Sequence, residues 1–204
     1  MLLPILLLCL LAGCGTSAKI QYAYIDPTVK NKDLHGALVI GVAREHQSRV
    51  DFEDKFARAL QRKGVPAVAS HTLLPQDKFT EEQAIAVAKE QKLDTILLTR
   101  FVGESSQEIY HPGTIYYGVA PVYGGGYNQR FGSYYGHAYE MAYEPPVTTT
   151  NVTITLVSDL YEVETQEHLW QAVSDAIKAG SEKELLDAFV SAFVKNMVDQ
   201  KLLD

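Results

Sequence analysis

The chain has 204 residues, 47% hydrophobic and 21% charged, a balance that belongs to globular proteins and sets aside disordered and collagen-like classes. Its formal net charge is -7 and no basic stripe accompanies it, which argues against nucleic acid as a partner. Only two cysteines are present, Cys9 and Cys14, so stability has to come from packing and not from a disulfide framework.

Leu2 to Ala12 is an uncharged apolar run. It is shorter than the roughly 20 residues that a membrane-spanning helix needs, and it fits the hydrophobic region of a signal peptide. The run closes in Leu11-Ala12-Gly13-Cys14, where two small residues let a peptidase approach the backbone. This resembles the lipobox of bacterial lipoproteins. The resemblance implies cleavage before Cys14, a thioether-linked diacylglycerol on its sulfur and acylation (palmitate) of the new amine. Each buried lipid methylene contributes roughly 0.8 kcal/mol, so two or three chains hold a domain to a membrane where one does not. In Gram-negative lipoproteins an Asp after the cysteine signals retention at the inner membrane. By that resemblance Gly15 is consistent with the outer membrane, facing the periplasm.

The elements follow in chain order. Residues 14–36 read as a lipidated tether and an irregular, extended lead-in. Ala37 to Ala43 is a continuous apolar run, the signature of a strand buried on both faces. Residues 51–63 read as an amphipathic helix with Phe52, Phe56, Ala59 and Leu60 on one side, closed by Gly64. Val65 to Ala69 is a second short strand. Thr80-Glu81-Glu82-Gln83 is a capping box, predicting a helix to about Lys92. Thr95 to Val102 is a third buried strand, completing a β-α-β-α-β order that implies a mostly parallel sheet. Asn151 to Val163 and Leu169 to Ile177 read as an antiparallel hairpin around a polar turn at Glu164 to Glu167. Ser181 and Glu184 form another capping box, opening a helix striped by Leu186, Phe189, Val190, Phe193, Val194 and Met197.

The expected fold class is therefore α/β: a single domain over residues 37–204, β-α-β-α-β followed by a long hairpin and a C-terminal helix, its mixed sheet covered by helices. Residues 110–146 form an insertion rich in tyrosine and glycine, including Gly124-Gly125-Gly126. Tyrosine gives contact area and a polar handle, and glycine lets the backbone adapt. Tyr116, Tyr117, Tyr123, Tyr127, Tyr134, Tyr135 and Tyr139 are accordingly candidate contacts for an envelope protein or glycan. A self-packed loop without a partner is the plainer account, and a membrane-inserting hairpin fits poorly because strict alternation is missing.

The order of elements, together with the phrase from Asp159 to Thr165 leading to Leu169-Trp170, resembles three groups of envelope proteins. These are the lipoprotein activators of penicillin-binding proteins, the curli secretion lipoprotein and the amino-terminal domain of TolB. The resemblance implies no catalytic residues.

Motifs for catalysis are missing: there is no Gly-x-Ser-x-Gly, Walker loop, His-Glu-x-x-His or Cys-x-x-Cys. His111 and His137 share the tyrosine-rich segment but stand 26 residues apart with only Glu140 and Glu144 nearby, so no metal and no cofactor is expected. Asp51, Glu53 and Asp54 are read as helix-start acids favoured by the helix dipole, and Trp170 as a packing residue. The expectation is a lipid-anchored, non-enzymatic binding or assembly-accessory lipoprotein. A periplasmic enzyme with an unrecognised site, or a subunit of an outer-membrane secretion assembly, are the alternatives.

Cys14→Ser is expected to abolish lipidation and leave an unprocessed or mislocalised precursor. Mass spectrometry of the mature amino terminus checks this; an unmodified Cys14 in the wild type, or cleavage elsewhere, refutes the lipobox reading.

Overall fold

In a computed structural model the described residues are 16–32, 34–74, 76, 78–112, 114–115, 143–144 and 146–202. The signal segment 1–13, Cys14 and the seven candidate tyrosines lie outside them. The elements are β1 (Ala18–Ile25), β2 (Ala37–Val42), α1 (His46–Gln61), β3 (Ala67–Ala69), α2 (Glu81–Glu90), β4 (Thr95–His111), β5 (Thr114–Ile115), β6 (Tyr143–Glu144), β7 (Val147–Glu162), β8 (His168–Ile177) and α3 (Glu182–Asp199), with short 3₁₀ turns after β1 and β3.

The apolar run at 37–41 is buried along its length, as a central strand requires. It pairs in parallel with β3 on one side and β4 on the other, Ala37 standing opposite both Ala67 and Thr95. β7 and β8 pair antiparallel, as do β8 and β1, giving one mixed sheet in the order β1-β8-β7-β4-β2-β3. Both halves of the sequence thus enter a single six-stranded sheet. β7 lies beside β4, where the Val163 N–H donates to the Asp94 carbonyl at 2.7 Å and the Thr99 and Ser158 hydroxyls meet at 2.8 Å in the interior.

Successive strand residues face opposite ways, so the sheet is covered on two sides. α1 and α3 pack against each other on one face. Phe193 of α3 is fully buried there, its ring centroid 6.2 Å from Phe56, 6.3 Å from Trp170 and 6.4 Å from Phe189. The indole N–H of Trp170 donates to Asn196 Oδ1 at 3.0 Å, so its polar edge is satisfied inside the core. α2 covers the other face, burying Ala84 and Ala88 against Leu38, Ile40 and Leu93. Both expected capping boxes form, Thr80 with Gln83 and Ser181 with Glu184.

The chain divides into two compact units. One comprises the residues up to Ser105 together with 153–204 and contains the helices and the sheet core. The other, 106–152, holds the outer parts of β4 and β7 and the antiparallel ladder β5–β6, in which Thr114 stands opposite Glu144.

Several boundaries differ from the sequence reading: β7 begins at Val147 and not Asn151, β3 at Ala67 and not Val65, and three further differences have a local cause. Residues 18–25, taken as irregular lead-in, form edge strand β1; a register shift between Ile20 and Tyr22 breaks the period of two that would have announced it. α1 begins at His46 and not Asp51, because its first turns are polar and carry no apolar stripe. β4 continues past Val102 to His111 through the largely exposed residues 100–111, which no burial pattern marks.

Phe193→Ala is expected to destabilise the fold by about 3–5 kcal/mol, the range for removing a buried aromatic ring. Urea unfolding measures it; a loss below about 1 kcal/mol would mean that this ring cluster does not hold α3 to the sheet.

Candidate functional site

Arg49 and Glu53 lie one turn apart on α1, on the same side as Phe52 and Phe56, and both are buried. What lets a charged pair sit there is the strand beneath. A Cβ on Gly41 would lie 3.3 Å from Phe52 Cδ1 and 3.4 Å from Glu53 Cγ, so the bare backbone allows α1 to come close. The Gly41 N–H then donates to Glu53 Oε1 at 2.9 Å. The same oxygen accepts from Arg49 Nε at 2.9 Å and from the Ser70 hydroxyl at 2.7 Å. Oε2 accepts the His71 N–H at 2.7 Å, with His71 Nδ1 at 3.0 Å. The rest of the guanidinium donates to Ser70 Oγ at 2.9 Å, the Leu74 carbonyl at 3.1 Å and the Gln76 carbonyl at 2.7 Å, and lies 5.3 Å over the Phe79 ring.

This corrects the reading of Asp51, Glu53 and Asp54 as helix-start acids. Glu53 is interior and ties the segment from Ser70 to Phe79 to α1. Asp51 accepts from Gln47 at 2.8 Å, while Asp54 takes Arg58 at 3.2 Å and lies 3.4 Å from His71 Nε2.

Beside this anchor the carboxyl end of β2 opens into a cavity on each face of the sheet. On the α2 side a cavity of about 960 Å³ has apolar walls from Ile40, Val42, Phe79, Ile85, Ile96 and Leu98, with Arg44, Lys78, Glu81, Tyr161 and Glu162 at its polar parts. On the α1/α3 side a cavity of about 800 Å³ is walled by Phe52, Phe101, Leu156, Leu185 and Phe189. Gly41 to Arg44 lines both. The location has a topological cause. The chain leaves β2 over one face towards β3 and returns over the other to β4, and open α/β sheets hold ligands at such points, beyond the strands' carboxyl ends.

The charges around the first cavity fall into two sets. Glu162 accepts from Lys32 Nζ at 2.6 Å and from the Thr165 hydroxyl, and these bonds hold its carboxyl below the ordinary range. The same bond, with a second from Lys32 to Glu167 at 3.2 Å, raises the Lys32 ammonium. Burial, then the charge of Asp159, pushes the Tyr161 phenol up. Arg44 and Lys78, both exposed, make no ion pair among the described residues.

The phrase from Asp159 to Thr165 acquires a physical role. Asp159, buried, accepts from Gln171 Nε2 at 2.6 Å and lies 3.0 Å from His168 Nε2. Glu162 and Thr165 build the turn that Gln166 completes at φ 60°. His168 lies between Tyr24, 5.8 Å away, and Tyr161, 5.0 Å away, so an aromatic row crosses β1, β8 and β7.

Of the sequence-predicted site residues, Cys14 and the seven tyrosines lie outside the described residues. His111 is exposed at the end of β4, its Nε2 3.2 Å from Thr149 Oγ1; His137 lies outside. Among the described residues no group of three or more His, Cys, Asp or Glu is placed to hold a metal ion. The cavity was missed. One signal for it was available: a buried parallel strand that runs into an arginine, Val42-Ala43-Arg44, at its carboxyl end.

No protein-family model matches the sequence, and no curated protein matches it closely. Among solved structures the chain is similar to the PelC dodecamer from Paraburkholderia phytofirmans, with 12% identity, a TM-score of 0.43, and coverage of 87% of this chain and 97% of that one. It is also similar to lipoprotein GNA1162 from Neisseria meningitidis, with 12% identity, a TM-score of 0.42, and coverage of 80% and 98%.

Arg49→Met is expected to cost about 3–5 kcal/mol, because it leaves the Glu53 carboxylate buried without its cation. The double variant Arg49→Met/Glu53→Leu is expected to lose less than the sum of the single losses in a double-mutant cycle. Additive losses would show that the two side chains do not act as a pair.

Proposed function

We propose that this chain is a lipid-anchored protein of the bacterial cell envelope, tethered through Cys14, that works as a binding or assembly-accessory lipoprotein and not as an enzyme. The anchor rests on the sequence Leu11-Ala12-Gly13-Cys14, and Gly15 supports the outer membrane facing the periplasm. No helix among the described residues is long and apolar enough to cross a membrane. The likeness of the pattern to penicillin-binding-protein activators, the curli secretion lipoprotein and the TolB amino-terminal domain is the finer form of the same reading.

The observation that carries binding over catalysis is the cavity on the α2 side. Its walls are mostly apolar, and its buried cation Arg49 is engaged with Glu53, Ser70 and backbone carbonyls. Its acid Glu162 is engaged with Lys32. An apolar pocket with a few polar groups suits a ligand held without covalent change. The tyrosine-rich stretch is proposed as the surface for an envelope protein or glycan partner.

Replacing residues 112–144 by a short Gly-Ser linker tests the second half of the reading. Loop closure changes by only about 0.6 kcal/mol per doubling of length, so the variant is expected to fold with wild-type urea midpoint and to reach the membrane. The wild type is expected to form crosslinked species in intact envelopes, and the variant is expected to lose them. A variant that does not fold makes the segment part of the core, and one that crosslinks as the wild type does removes the tyrosines as contacts.

A further inference from the structure

We propose that the cavity between α2 and the sheet binds a single-chain amphiphile with an anionic head group, of the fatty-acid class. The proposal deepens the binding reading above and rests on it. The walls explain the tail. Ile85 on α2 and Ile96 and Leu98 on β4 are only partly buried, although they belong to the same apolar cluster as Leu38 and Ile40, and what they leave uncovered faces the cavity. At about 960 Å³ the space lies within the range of small-molecule sites. The protein surface that faces it is mostly apolar, and a hydrocarbon chain would cover that surface where water otherwise meets it.

The rim explains the head. Arg49 is committed to Glu53 and Glu162 to Lys32, so neither is available to a ligand. Among the described residues that leaves Arg44 and Lys78 against Glu81, two cations to one acid, on a chain whose net charge is -7. Both cations are exposed, so they stand where the cavity meets solvent, and the Tyr161 phenol stays protonated as a hydrogen-bond donor. A carboxylate at the rim with its chain inward satisfies both features; a long-chain alcohol satisfies only one.

The test uses the full-length lipidated protein in phosphatidylcholine vesicles, incubated with a palmitic acid that carries a photoactivatable diazirine near its tail. Peptide mass spectrometry is expected to place the label on 40–44, 79–85 and 96–98, with excess palmitate lowering it about tenfold and hexadecanol lowering it less. Leu98→Trp, which pushes an indole ring into the cavity from the β4 wall, is expected to lower the label on 96–98 and 79–85. Arg44→Glu/Lys78→Glu changes only exposed side chains and is expected to abolish the preference for the acid over the alcohol. Label scattered over the surface and insensitive to palmitate overturns the site, and equal competition by hexadecanol overturns the anionic head group. The mass of the amino-terminal peptide, read in the same samples, reports lipidation at Cys14, so a failed anchor and an empty cavity give different results.

Discussion

The Glu53 carboxylate is the group on which the arrangement around the site depends. A charge with no solvent exposure is tolerated only if its hydrogen-bonding capacity is filled, and here the partners come from three separate stretches: Gly41 of β2, Arg49 of α1, and Ser70 with His71 after β3. Each partner constrains a different element. Gly41 sets how near α1 lies to the sheet, Arg49 fixes the rotation of the helix, and Ser70 with His71 fixes where the chain turns after β3. The pair contributes less as a net gain in stability than as a restriction on alternatives, since any shift of these elements leaves a buried charge exposed to an apolar interior.

That restriction produces the cavity. Arg49 holds the carbonyls of Leu74 and Gln76, so the chain entering α2 is pinned beside α1 and α2 starts only at Glu81. α2 is 10 residues long against 16 for α1 and 18 for α3. It covers Leu38 and Ile40 but leaves Ile96 and Leu98 partly open. The face carrying α1 and α3 buries the rings of Phe56, Trp170, Phe189 and Phe193, whereas on the α2 face the helix buries mainly alanines. Small side chains on a short helix over a wide sheet leave unfilled space, and Phe79, placed under Arg49, closes one side of it.

Much of this was legible because it is local. The run at 37–41 and the boxes at Thr80 and Ser181 each announce themselves within a few residues, and the stripe of α3 follows from helical spacing. What was not legible depends on residues distant in sequence. Arg49 looks like a surface residue until Ser70 and the carbonyls of Leu74 and Gln76 arrive to satisfy it. β1 carries a bulge that hides its period. The cavity takes its walls from β2, β4, α2 and the chain before α2, so no single window of sequence contains it. Two opposite charges four residues apart on an otherwise apolar helix face were nonetheless a readable sign of a buried pair, and the helix-dipole reading passed over it.

The amino-terminal strand connects the anchor to this geometry. Ala18 stands opposite Ala176, and the Thr16 hydroxyl donates to the Ala179 carbonyl, so the chain enters the sheet at the end where Lys178, Ala179 and Gly180 border the second cavity. Cys14 precedes Thr16 by two residues, a reach of about 7 Å at full extension. If Cys14 carries acyl chains, as proposed, so short a tether would hold the end of the sheet that bears Thr16 near the bilayer. Among the described residues Val42, Phe101, Val102 and Ile177 are large apolar side chains exposed in this region, between 45% and 55% each. Their exposure is unfavourable in water but not beside a lipid surface. That orientation would turn the rim at Arg44 towards the membrane, so an amphiphile passing from the leaflet to the proposed site would meet apolar side chains first and the cations where its head group comes to rest.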